Sequence, residues 1–256
     1  MPYYERVIHS GTMREAVRYM GGKRGRQLPR SPKAQPSTEQ RKRWNEEEAC
    51  RRLGRLMRCN FSRAAGDLFV VLTHADDPDE EVARRRMAAF LRRVKRWRDR
   101  EGMKELKYIR VDERQGQWHH HLMLSAMPID QLAAMWTHGH AHIAVVDDAN
   151  GYRDTARYFV VLDKAGKPER QKGERRWSSS KNLDKPIVTV REISAREAAK
   201  PPKAPAGWTL LPDWRIWADD LGHIHQRYTC VRTDGGRGRV LKAKKRKKRK
   251  GKKARR

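Results

Sequence analysis

Two histidines at a spacing of two, His119 and His121, sit in the stretch Trp118-His119-His120-His121-Leu122-Met123-Leu124. As a β-strand, this stretch turns His119, His121 and Met123 to one face of a sheet and His120, Leu122 and Leu124 to the other. Two imidazoles about 7 Å apart on one face can both reach a single divalent cation, and neutral imidazole is the commonest protein metal ligand. The chain holds two further alternating sets: His138, His140 and His142, and the pair His223 and His225. His225 is followed by Gln226-Arg227, with no apolar run and no tyrosine-bearing helix behind it. The first pair is therefore the better metal candidate.

The partner must be a polyanion. The 256 residues carry a formal charge of +29 and a pI near 10.7, which point to nucleic acid. Twelve of the positive charges fall between Lys242 and Arg256, and the rest of the chain still carries +17. Cys50, Cys59 and Cys230 have no Cys-x-x-Cys spacing and are odd in number. Free thiols in a reducing compartment follow, with neither a disulfide framework nor a cysteine zinc site. No apolar run approaches the roughly 20 residues of a membrane span, and the first residues lack the apolar segment of a signal peptide. A soluble, cytoplasmic protein without a membrane partner is expected.

The elements that would position the histidines alternate. Residues 1–36 mix Gly, Pro and basic residues and suggest a flexible basic arm. A capping box at Ser37-Thr38-Glu39-Gln40 opens a helix to about Met57. Leu68 to His74 is β-branched and aromatic, hence a strand. Asp76 to Glu81 is an acidic helix start that suits the helix dipole, with the helix running to about Arg100. A strand over 105–112, a turn over 113–117, the histidine strand over 118–125, a short helix over 129–136, a strand over 140–146 and a helix over 154–162 complete the order. The pattern β-α-β-β-α-β predicts an α+β, ferredoxin-like (RRM-like) antiparallel sheet with helices on one face. That leaves the other face for chemistry. The expected domain, 37–196, is followed by a β-rich extension over 197–236 and a disordered Lys/Arg tail over 237–256.

Three ordered motifs resemble the HUH-type rolling-circle replication initiators, the Rep proteins of phages, plasmids and conjugative elements. They are Phe69-Val70-Val71-Leu72-Thr73-His74, the Trp118–Leu124 stretch, and Tyr158 on the helix after the fourth strand. Cys59-Asn60-Phe61, Glu105–Ile109, Trp136 with Gly139, and Ser180–Leu183 with Pro186 extend the likeness over roughly residues 40–195. The resemblance implies a site-specific, single-strand DNA endonuclease acting as a nickase. In that family Tyr158 would be the nucleophile, leaving a 5′-phosphotyrosine and a free 3′-OH. It also implies an Mg2+ or Mn2+ ion on His119, His121 and an acidic residue just before them, which points to Glu113. Strand geometry leaves that open: an even-membered turn would put Asp112 on the histidine face, and an odd-membered one Glu113. Tyr152 is the second candidate nucleophile. The lysine usual three residues after the tyrosine is Val161 here, which puts the activation step in question. Arg175, Arg176 and Lys181 follow the nucleophile helix as candidate DNA-binding residues. Origin DNA and a host replication machinery are the expected partners. A relaxase, a single-strand transposase and a catalytically inactive DNA-binding protein are the rival readings.

Overall fold

The computed structural model describes residues 2–21, 38–161 and 177–233. A central sheet is built from β3 (Leu68–Thr73), β4 (Tyr108–Gln115), β5 (Gln117–Leu124), β6 (Ala141–Val145) and the short β7 (Ser178–Ser179), in the order β6-β3-β5-β4-β7. All its pairings are antiparallel. The first four strands carry the 4-1-3-2 order of the ferredoxin-like fold, as the sequence pattern predicts.

Two helices fall between these strands, α2 (Glu80–Arg100) and α3 (Ile129–Ala134). Asp79 caps α2 by accepting from Val82 N–H at 2.7 Å, and Glu80 and Glu81 place negative charge in the first turn. Both helices pack on one face, where Leu68, Val70, Leu72, Leu122 and Leu124 meet Met87, Phe90, Val94, Leu132 and Trp136. At about 1.5–3 kcal/mol per fully buried large apolar side chain, this is the larger of the two clusters that hold the sheet.

The other face is not left bare. Before and after the ferredoxin-like unit come α1 (Glu39–Asn60) and α4 (Arg153–Val161), which cover it with Leu53, Met57, Phe61, Ala156, Phe159 and Val160 over Ile109, Val111 and Met123. Thr38 caps α1, accepting from Arg41 N–H; Ser37 lies outside the described residues. Helices on one face therefore describes the repeat itself, and the flanking helices fill part of the opposite face.

A second antiparallel sheet joins the two ends of the described chain. It contains β1 (Tyr3–Ser10), β2 (Met13–Met20), β8 (Ile187–Ile193), β9 (Trp208–Leu210), β10 (Arg215–Ala218) and β11 (Ile224–Arg232). The order is β10-β11-β2-β1-β8, with β9 also on β11. Residues 3–20, expected as part of a flexible arm, thus form a hairpin in the middle of a sheet. The reason is a buried carboxylate: Glu5 (2% exposed) is held by Arg18 at 2.9 Å, the Tyr228 hydroxyl at 2.7 Å and Arg191. Its inward position hides the strand's alternation in a polar-looking segment. Helix α5 (Ala195–Ala199) and the stretch holding Ala204, Trp208 and Trp214 pack over this side of the sheet. Residues 22–36 of the expected arm and the tail over 237–256 lie outside the described residues.

Candidate active site

Hairpin geometry selects the acidic residue. The β4–β5 connection turns on Gly116, whose φ of +70° is a left-handed conformation that glycine adopts without strain. Gln115 pairs with Gln117 across it, so the loop is odd-membered and Glu113 stands opposite His119. Asp112 pairs with His120 and Val111 with His121. Glu113, His119 and His121 therefore share one face, and Asp112 belongs to the other.

Helix α4 brings the tyrosine to that face. Ala156, Phe159 and Val160 bury its inner side, and Tyr158, about 40% exposed, projects at the flank. The Tyr158 hydroxyl lies 2.9 Å from His121 Nε2, with the rings edge to face at 4.9 Å. Glu113 Oε2 is 3.6 Å from the same nitrogen. Phe69 lies against both His121 and Phe159, closing the apolar side. Burial, and secondly the Glu113 carboxylate, push the Tyr158 phenol up to about 12. Both act against the phenolate, so an added positive charge is what the site needs to ionise it.

His119 shares the face while its ring turns aside, with Nδ1 at 2.9 Å from the Gln117 carbonyl. That hydrogen bond makes Nδ1 the protonated nitrogen and leaves the Nε2 lone pair for a ligand. Among the described residues no three His, Cys, Asp or Glu side chains already converge at metal-ligating distance. The donor set nonetheless fits a divalent cation: one carboxylate and two imidazoles on a common face, one of them with its tautomer fixed from behind.

The opposite face carries a chain of hydrogen-bonded side chains in which Asp112, the second ligand candidate, and His74, of the first motif, are tied together through His120. Asp112 Oδ1 accepts from His120 Nδ1 at 2.7 Å, the His120 and His74 Nε2 atoms are 3.0 Å apart, and Arg86 donates to His74 Nδ1 at 3.2 Å. One set of tautomers satisfies every link: Arg86 donates to His74, His74 to His120, and His120 to Asp112. Burial first, then the neighbouring His120 and the Arg86 charge, hold His74 down to about 4, so it is neutral at pH 7. Burial raises the Asp112 carboxyl, and the His120 hydrogen bond with the Arg110 and Arg84 charges brings it net below its ordinary value. Trp136 packs edge-on to both rings and donates to the Thr73 carbonyl at 2.8 Å. The sequence signal was the middle histidine of three: a polar residue at an inward position needs a partner.

Tyr152 is excluded as a nucleophile by its place. It is 1% exposed, its hydroxyl is buried without a hydrogen-bond partner, and burial pushes the phenol far up. Val161 is partly buried against the α1–α4 core, and the nearest lysine, Lys164, lies outside the described residues, as do Arg175 and Arg176. Lys181 follows β7, whose Ser178 and Ser179 pair with Arg110 and Ile109. It lies at the far end of β4, about 13 Å or more along the strand from Glu113, and so is not brought to Tyr158. His223 and His225 both bind Asp219, at 3.0 and 3.2 Å, and His142 lies exposed on β6. No helix of the described residues is long and apolar enough to cross a membrane. None of Cys50, Cys59 and Cys230 is joined in a disulfide among the described residues.

No curated protein and no solved structure matches the chain significantly. The family model for Replication-associated protein ORF2/G2P matches residues 67–162, from the start of β3 to the end of α4. That segment spans well under half of the chain, yet it contains all four strands of the ferredoxin-like unit, Glu113, both histidines and Tyr158. Through residues 67–162 the chain is similar to the Replication-associated protein ORF2/G2P family.

Proposed function

We propose that the chain is a metal-dependent, single-tyrosine nickase and strand-transfer enzyme acting on single-stranded DNA at a rolling-circle origin. The observation that carries the reading is the 2.9 Å contact of the Tyr158 hydroxyl with His121 on the face shared by Glu113 and His119. Glu113, His119 and His121 would hold Mg2+ or Mn2+, which when bound supplies positive charge for the scissile phosphate and the developing phenolate. Tyr158 attacks the phosphorus, forming the phosphotyrosine bond as the bond to the 3′-oxygen breaks. The phenol proton leaves Tyr158 and the 3′-oxygen ends protonated, as a free 3′-OH. The His121 contact places the hydroxyl on the ligand face, beside the Phe69–Phe159 wall. Relaxases and single-strand transposases use the same chemistry; the replication-associated family match favours initiation.

An adduct assay tests this. Wild-type chain with Mn2+ and single-stranded origin DNA is expected to form a covalent band that Tyr158→Phe and metal removal each abolish. An adduct that survives in Tyr158→Phe would reject the nucleophile. No adduct from wild type would favour a DNA-binding protein without catalysis, for which Val161 in the lysine's place is the supporting observation.

A further inference from the structure

The second sheet has one side covered by α5 and the Trp208–Trp214 stretch, and its other side arranged in rows. Trp217 pairs with His225, and Gln226 pairs with Arg18, which puts His225 opposite Tyr19. Tyr19 in turn pairs with Tyr4. Four rings from β10, β11, β2 and β1 therefore line up across the sheet, over about 14 Å at ordinary strand spacing. Trp217 and His225 stack at 5.6 Å and 16°, and Tyr4 and Tyr19 lie 6.1 Å apart. Trp217 is 47% exposed; the other three are half-buried.

The next row on the same face runs Arg215, Arg227, Val17, Arg6. Its three arginines are exposed. The face's acidic residue nearest α1, Glu15, is already held by Arg55 and Arg58, and Glu192 stands at the β8 edge. The row is also built to hold its shape. Asp219 grips His225 from the β10–β11 turn at 3.2 Å. Tyr4 lies across Gly21, where a Cβ would come within 2.5 Å of the ring.

We propose that this face is a second nucleic-acid site, distinct from the Tyr158 site, on which bases of a single strand stack while Arg6, Arg215 and Arg227 hold the phosphates. An aromatic row beside a cationic row fits single strands specifically: stacking needs unpaired bases, every base has a π-face, and the backbone needs charge neutralisation. A duplex offers phosphates but no free faces, and an acidic peptide would use the arginines and leave the rings idle. The site does not depend on Tyr158 chemistry.

The test is fluorescence anisotropy of the full chain with a labelled 12-mer of dT and with an abasic strand of equal length, in metal-free buffer. Trp217→Ala is expected to weaken dT binding about tenfold, in line with the loss of one stacked base. The abasic strand should bind it as it binds wild type, and Trp217→Phe should restore dT affinity. Replacing Arg6 and Arg215 together by Ala should flatten the dependence of log K on log salt by about 1.4. Equal dT affinity in wild type and Trp217→Ala would overturn the proposal, as would an equal loss on the abasic strand or an unchanged salt slope. Tyr158→Phe should bind dT like wild type, so a failed adduct assay and a failed platform are separate results.

Discussion

Gly54 tests the helix contact that aims Tyr158. It lies buried on α1 where α4 crosses, and a Cβ built there would meet Ala156 Cβ at 3.7 Å, Arg58 Nη1 at 3.6 Å and the Gly151 carbonyl at 3.8 Å. These are ordinary van der Waals distances, so a methyl group fits. Gly54→Ala therefore keeps the contact and removes the helix-interior cost of glycine, about 1 kcal/mol. For a chain of this size that raises Tm by about 2–4 °C. Gly54→Leu is different: its branched end finds Ala156 and the Gly151 backbone already in the way. Overpacking of this kind costs about 1–3 kcal/mol, and it would push α4 outward and carry the Tyr158 hydroxyl beyond hydrogen-bond reach of His121. Thermal melts followed by circular dichroism, with the Mn2+ adduct rate measured below the lower Tm, separate the two effects. The expected pattern is a stabilised alanine variant with wild-type adduct rate, and a folded leucine variant with at least a tenfold slower rate. A drop in Tm for Gly54→Ala would refute the packing argument. A wild-type rate in Gly54→Leu would show that α1 does not set the position of Tyr158.

Two further outcomes follow from the register and the buried charges. Glu113→Ala should weaken Mn2+ binding strongly in calorimetry, while Asp112→Ala should leave it close to wild type and lower stability by freeing His120; the reverse ranking would contradict the odd-membered hairpin. Glu5 responds to pH: burial opposes its ionisation, but the hydrogen bonds from Tyr228, Arg18 and Arg191 win and set its carboxyl below the ordinary 4.5. Its contribution is thus complete above that value and is lost as pH falls through the lowered one. Urea midpoints measured from pH 7 to pH 3 should fall more steeply for wild type than for Glu5→Gln. The variant should already be destabilised at neutral pH by about 3 kcal/mol or more, because Arg18 stays buried without its carboxylate.

What could be read from the sequence was local. Leu68–Thr73 alternates buried and half-buried positions as a strand with two covered faces must, and the acidic start of α2 declares its own cap. Glu113 was chosen by family likeness against an equally good Asp112, because the face depends on one residue of loop length. Only the folded hairpin, with Gly116 alone between Gln115 and Gln117, decides that. The second sheet was out of reach for another reason. Tyr3–Ser10 finds its partners at Ile187–Ile193, and Met13–Met20 finds one at Ile224–Arg232, and no local pattern reports pairings across such separations. His120 was visible only as the odd middle member of a triplet; its bond to Asp112 across the hairpin and its contact with His74 gave it a reason.

The same far-flung pairing sets an order on the making of the molecule. The β1–β2 hairpin is synthesised first and meets β11 only some 200 residues later, which at about 5–20 residues per second is a wait of about 10–40 s. Over that interval β3 to α4 can collapse on pairings within its own segment, while the hairpin keeps its β2 edge open and its Glu5 without Tyr228. The β3–α4 unit is then complete before the second sheet can close. A ribosome stalled ahead of Ile224 would therefore hold a Tyr158 site already formed beside a stacking face that does not yet exist.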